Sequence, residues 1–363
     1  MKREQGYSLV ELLVSMAIMM VVTGAIFQLV NPSQSTAQIQ PEVQDMQQRM
    51  RVGTDALFKD LVMAGAGPYQ GALTGSLINY FAPILPRKTG FTDPDAYNVA
   101  SANRITITYV PNTYTQTTLS AAMPQPSAEL KVDFNPDQPG CPNDGSCGFA
   151  EGDEVLIFDE SGHFDTFTIT NVQDAANHLQ HRGQDLSYAY SPPNAMILKV
   201  KSYSFYLDTT TKQLMRYDGG TDDPTPIVDN VVDLKFEYYG DPNPPLTPKP
   251  TLGTANCLYD TLGNYTASGL TTLTTGGGSL APLPLSMFTD GPFCGGGSNQ
   301  FDVDLFRVRK LRVTLRIQTP NAVLRGRDTT LFASPGTSVT GQKYIPDMVT
   351  SFEVTPRNMN LGR

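Results

Sequence analysis

Residues 12–30, LLVSMAIMMVVTGAIFQLV, carry no charge, and only Ser15, Thr23 and Gln28 among them are polar. As a helix rising about 1.5 Å per residue, they span roughly 28 Å, close to the hydrocarbon thickness of a bilayer. A helix buried in a soluble core is seldom this long and this apolar on every side. The run therefore predicts a membrane-inserted helix, and everything after it must fold elsewhere. One residue disturbs this reading. Glu11 stands at the head of the run, and a charged side chain in hydrocarbon costs several kcal/mol unless it lies at the membrane face or meets a partner.

The flanks narrow the choice. MKREQG precedes the run, with Lys2 and Arg3. Positive charge on the short N-terminal side keeps that side cytoplasmic and sends the rest of the chain across the membrane. A secretory signal would end its apolar part in a small-residue cleavage site. Here NPSQSTAQIQPE follows instead, and the small residue, Gly6, lies in front. A simple signal anchor accounts for everything except Gly6 and Glu11.

MKREQG followed by YSLVELLVSMAIMMVVTG resembles the N-terminus of a type IV prepilin or pseudopilin. The resemblance implies cleavage between Gly6 and Tyr7 by a membrane peptidase that also methylates the new amino terminus on Tyr7. Glu11 then becomes the fifth mature residue, where the family's glutamate pairs with the amine of a neighbouring subunit. Such pairing places two charges in a low-dielectric bundle where neither is tolerable alone. Tyr7 departs from the family's usual Phe but keeps an aromatic, and Gln28 stands where many major pilins have a proline. The helix is accordingly expected to kink or break between residues 31 and 34, beside Pro32.

Beyond the break a second helical segment is expected, over 31–67. Ile39, Val43, Met46, Met50, Gly53, Leu57 and Leu61 fall on one face, and Gln44, Asp45, Gln48, Arg49, Asp55 and Lys59 on the other. Pro41 is a candidate for the true start, and Gly65 and Gly67 for the end. RMRVGTDALFKDLVMAGAG is similar to the same region of PilW-type minor pilins and of the J-type pseudopilins of type II secretion. From about residue 100 the period becomes two, as in RITITYV (104–110), DEVLIF (153–158), FDTFTITNV (164–172) and AMILKVKSYSFYLD (195–208). QLMRYDGG (213–220) reads as the hairpin partner of the last. VVDLKFEYY (231–239) turns Val232, Leu234, Phe236 and Tyr238 inward. In DLFRVRKLRVTLRIQT (304–319) Phe306 and Val308 share one parity and Leu311, Val313, Leu315 and Ile317 the other, so a bulge is expected near Arg309 and Lys310. A short last strand is expected over 350–355. The fold class is α+β: a long N-terminal helix, membrane-inserted then amphipathic, packed on an antiparallel β-sheet domain with long disulfide-bearing loops. The expected organisation is a leader (1–6), a transmembrane and filament-core helix (7–30), an amphipathic helix (31–67) and an extracytoplasmic head (68–363).

The head has an even number of cysteines, Cys141, Cys147, Cys257 and Cys294, which an oxidising compartment turns into disulfides. Of the three possible pairings, Cys141–Cys147 with Cys257–Cys294 is expected, because each closes a Gly/Pro-rich excursion. Zinc is disfavoured because no CxxC or CxxH is present. Those excursions, 130–152 and 240–300, are either a contact surface, such as an adhesive tip, or solvated insertions. With 35 acidic against 26 basic residues the net charge is −9, which argues against nucleic acid as a partner.

Chemistry is sparse. His178 and His181 read as a surface turn, and His163 has no companion motif. Asp133, Asn135 and Asp137 begin like a calcium loop, but Gln138 replaces its glycine and Asp144 its closing glutamate. No metal or other cofactor, and no catalytic residue, is expected. The chain reads as a minor pilin-like subunit of the inner membrane that serves type IV pilus assembly or initiation. Its head would lie in the periplasm and the subunit would then enter a pilus or pseudopilus. Its expected partners are the prepilin peptidase/methyltransferase, other major and minor pilins through the N-terminal helix, and membrane lipid before assembly. The alternatives are a type II secretion pseudopilin, a pilus-tip adhesin using 240–300, and an enzyme on a signal anchor.

Overall fold

The computed structural model describes residues 8–67, 77, 80–111, 115–133, 148–193, 195–220, 222–297, 299–338, 344–356 and 359, with the backbone alone over 28–38. The expected Cys141–Cys147 bridge lies outside the described residues, as do Asn135 and Asp137 of the calcium-like stretch. Asp133, which is described, is exposed.

The helix is a single element, Leu9–Met63, rather than two. The expected break beside Pro32 is absent, and Pro41 lies inside the helix instead of starting it. A helical φ suits proline, so each one costs a backbone hydrogen bond and a steric adjustment, about 3 kcal/mol. Two such local costs do not end a helix that its flanking turns continue and its buried stripe anchors. Gly65, at φ +71, closes it and donates its N–H to the carbonyl of Thr108 at 3.0 Å.

The chain divides into two compact units. In the first, Met1–Arg49 with Ile317–Met348, Met46 is fully buried. The Thr319 hydroxyl donates to Glu42 at 2.8 Å. Asp347 organises the 317–348 segment, accepting from Gln318 Nε2 at 2.8 Å and from the Ala333 N–H at 2.7 Å.

In the second, Met50–Arg316 with Val349–Arg363, the expected stripe is buried at Met50, Gly53, Leu57 and Leu61. Gly53 is needed for close approach: a Cβ there would lie 2.9 Å from Leu315 and 3.2 Å from Val228. The helix thus meets strands of two sheets. One is five-stranded and runs Ile84–Leu85, Arg104–Tyr109, Lys201–Asp208, Gln213–Tyr217, Thr225–Asp229 in spatial order. Its 201–208/213–217 hairpin is antiparallel, as the alternation predicts. The other is four-stranded: Ala281–Leu283, Val231–Gly240, Val308–Ile317, Met348–Val354. Leu234, Phe236 and Tyr238 point inward as expected, but Val231 is fully buried where Val232 is half-buried. Burial changes parity across Arg309 and Lys310, as anticipated, while Phe306 belongs to a 3-10 turn, Val303–Arg307, ahead of the strand.

The expected single strand over 195–208 is two strands. Met196–Lys199 pairs with Glu154–Phe158, and Lys201–Asp208 with Arg104–Tyr109. Val200 is the crossing point, its N–H bonded to the Glu154 carbonyl at 2.9 Å. The first piece is buried on both faces (Met196, Ile197, Leu198) and only the second alternates. This crossing creates a second core. Its sheet of Gln116–Thr118, Met196–Lys199, Glu154–Phe158 and Phe164–Thr168 and a small three-stranded sheet enclose Leu130, Val155, Ile157, Phe167, Leu179 and Ile197. His178 lies in a strand of that small sheet. His181, expected in a surface turn, is instead buried, with its ring nitrogens 2.5 and 2.8 Å from the carbonyls of Gln184 and Ala128. A residue flanking two short strands cannot stay exposed once a second sheet covers them.

The 240–300 excursion is not wholly a solvated insertion, although most of 241–280 is exposed or half-buried. It returns the strand Ala281–Leu283 to the four-stranded sheet, ends in the ribbon Phe293–Gly296 with Asn299–Asp302, and is tied by Cys257–Cys294, as expected. Closing a loop of 37 residues restrains the unfolded chain by about 4 kcal/mol in the chain-entropy model. Arg307, fully buried, fixes the excursion's base by donating to the carbonyls of Pro242 and Thr271.

Burial pushes the Glu154 carboxyl up to about 8, assisted by Asp218 and opposed by the Ser202 N–H and Lys201. Between the ordinary glutamate value and about 8 the folded chain holds a proton that the unfolded chain has released, so stability falls as pH rises through that window. Glu154→Gln is expected to raise the unfolding midpoint at pH 8 by several degrees and to change it little at pH 4.5. Thermal unfolding of both proteins at the two pH values checks this.

Candidate functional site

The described chain begins at the site: Gly6 and Tyr7 lie just outside it, and Ser8 and Glu11 inside. Ser8 caps the helix, its hydroxyl accepting from the Val10 N–H at 3.1 Å. Glu11 reaches back, and its Oε2 accepts from the Ser8 N–H at 2.8 Å. Two orphan backbone donors are thus satisfied, that of Val10 by the Ser8 hydroxyl and that of Ser8 by Glu11, in a variant of the capping box. The cap is legible in the sequence as Ser-x-x-Glu ahead of an apolar run, whereas the charge of Glu11 points to the membrane face or to a partner. Both functions are compatible, since a carboxylate has two oxygens and several lone pairs. Helix dipole and cap hold the group at the helix start.

Beyond the cap, Leu9–Phe27 is a 19-residue span of mean hydropathy 2.3 with none of its best window buried. Leu9, Met19, Met20 and Val21 are each more than 70% exposed. An apolar cylinder bare on all sides has two stable surroundings, lipid or other helices. Ser15 bonds its own helix, donating to the Leu12 carbonyl at 2.9 Å, so its hydroxyl is satisfied without a partner.

Elsewhere the polar groups serve the fold. Asp290, Asp302 and Asp304 bring carboxylate oxygens within 4.8 Å of one another, a grouping the sequence reading missed. Asp302 accepts from the N–H groups of Gly291 and Asp304 at 2.6 and 2.9 Å, and Asp304 pairs with Arg307 at 2.7 Å. His163 pairs with Asp159 at 3.0 Å and stacks on Tyr188 at 3.8 Å, and His178 pairs with Glu129 at 2.9 Å. The three histidines do not converge.

The family described as the prokaryotic N-terminal methylation motif matches residues 1–27, which hold the basic leader, Gly6, Tyr7, Glu11 and the start of the bare helix. Among curated proteins none matches the chain. With its apolar helix consistent with inner-membrane anchoring, the chain is, by this N-terminal segment, a protein of the type IV prepilin or pseudopilin type.

Proposed function

We propose that this chain is a minor pilin-like subunit that takes part in type IV pilus assembly or initiation, with a PilW-type head. The prepilin peptidase cleaves between Gly6 and Tyr7 and methylates Tyr7. The bare helix then leaves lipid and packs among the helices of other pilins, while the remainder lies in the periplasm. The role is structural rather than catalytic. Assembly exchanges one apolar surrounding for another, so it needs a directional term, and the pairing of Glu11 with a neighbour's amine supplies it. What carries the reading is the match of residues 1–27 to the methylation motif, on a helix whose span has no cover of its own. The same features would serve a type II pseudopilus. Filaments sheared from cells of the native host are expected to contain the chain at a low ratio to the major subunit. Its confinement to the inner membrane of cells bearing normal filaments would contradict the proposal.

One observation favours an additional role in adhesion. Leu246, Leu252 and Leu262, all on the 240–300 excursion, are 68–80% exposed. Because that excursion contributes a sheet strand and a disulfide, point changes such as Leu252→Ser with Leu262→Ser separate adhesion from folding, which deletion would not.

A further inference from the structure

A cleft of about 580 Å³ opens in the second unit, between the Glu154–Thr168 hairpin and a lip formed by residues 89–97. Its charged lining is lopsided: Asp95, Glu154, Asp165 and Asp185 against Arg87. Most of these groups already have partners. Arg87, buried, donates to the carbonyls of Tyr97 and Gln300. Asp95 accepts from the Lys88 N–H at 2.7 Å and pairs with Arg104. Asp165 accepts from Ser187, from the Tyr190 hydroxyl at 2.9 Å and from Asn299 at 2.6 Å.

Glu154 differs. Its Oε2 accepts from the Ser202 N–H at 2.9 Å. Its Oε1 faces Gly219, where even a Cβ would stand 3.3 Å away. Among the described residues no cation lies within ion-pair distance of it; Lys201 acts only at longer range, and Asp218 adds like charge. A half-buried carboxyl with no counter-charge is the group in this cleft that a cation would relieve. The lip supplies the complementary surface. Phe91 is 56% exposed, and Pro94 and Ala96 beside it are also exposed. The lip is held in place, because the Phe91 N–H donates to the Gly219 carbonyl at 3.0 Å and Gly90 packs so tightly on Gly219 that a Cβ would lie 2.6 Å from its Cα.

We propose that this cleft binds an alkylammonium or guanidinium group, the chemistry shared by a basic side chain and a free amine, with Glu154 as its counter-charge and Phe91 covering the aliphatic stem. The cation takes the place of a proton on Glu154, and the aromatic lip adds stem packing and cation–π attraction. The site stands whether or not the chain enters filaments.

The test is calorimetric titration of the full chain in detergent micelles. The probes are butylamine, the capped peptide acetyl-Gly-Gly-Lys-Gly-Gly-amide, and butyrate, which has a similar stem and the opposite charge. Saturation by the peptide without butylamine assigns a basic side chain of a partner protein. Saturation by butylamine, with or without the peptide, assigns the free amine. Losing a charge-assisted contact, Glu154→Gln weakens either by about tenfold or more, and Phe91→Ala by about threefold. Gln matches the shape of the protonated carboxyl and preserves folding, as circular dichroism would verify, and Phe91 lies on the surface, so one variant reports even if the other does not fold. Saturation by neither probe, butyrate binding equal to butylamine, or affinities unchanged in both variants would overturn the proposal.

Discussion

Glu11→Gln leaves the start of the helix intact and lowers the entry of the chain into filaments by about a hundredfold or more. The two halves of that expectation come from different interactions. Glutamine keeps an oxygen for the Ser8 N–H, which the carboxylate accepts at 2.8 Å, and a capping box tolerates either residue at this position. It does not keep the charge. In a packed bundle of apolar helices, removing one member of an ion pair strands the other, at a cost of about 3–5 kcal/mol, which corresponds to roughly two to four orders of magnitude. Ser8→Ala is the complementary change: it removes the hydroxyl cap, costs about 1 kcal/mol of local helix stability and leaves the charge. Quantifying both variants in sheared filaments separates the roles. Normal incorporation of the Gln variant would remove the electrostatic part of the assembly account.

The second large effect is far from the membrane. At Gly240, which ends the strand Val231–Gly240, a Cβ would fall 2.0 Å from the carbonyl oxygen of Arg307 and 2.6 Å from its carbon. Those are backbone atoms of a fully buried residue, and the adjoining N–H of Asp241 bonds the same carbonyl at 2.9 Å. No rotamer change relieves such a contact, so the strand end and the 3-10 turn Val303–Arg307 must part. Gly240→Ala is expected to cost about 3 kcal/mol or more, lowering the unfolding midpoint by roughly 5 °C or more or preventing accumulation. Gly276→Ala, where nothing lies within 4 Å, is the matched control. A Gly240→Ala protein as stable as that control would refute the close approach.

These two residues mark where the sequence was readable. Glu11 was conspicuous because a charge in an apolar run is locally anomalous, and Met46, Met50, Leu57 and Leu61 followed the helical period into the core. Ile105 and Ile107 are buried as well, but so are Thr106 and Thr108 between and after them, so that strand is covered on both faces. The local signal misled at Pro32 and Pro41, because propensity describes one turn whereas the continuity of a 55-residue helix is set by its neighbouring turns. It was silent at Val200: the apolar run Met196–Leu198 does not by itself announce a change of sheet, and only the partners reveal the switch. Gly240 was illegible for the same reason, since its neighbour Arg307 is remote in the chain. The cleft was hidden in parts, with Glu154 on an ordinary strand and Phe91 in an ordinary turn, until folding put them around one space.

The central claim is that residues 1–6 are a leader and that the chain begins its working life at Tyr7. Mass spectrometry of the chain isolated from its native membrane tests this most directly. The account predicts an N-terminal peptide that starts at Tyr7 and carries one added methyl group on its amine. An intact Met1 in cells whose other prepilins are fully processed would contradict it, and the chain would then be a domain held on an uncleaved anchor.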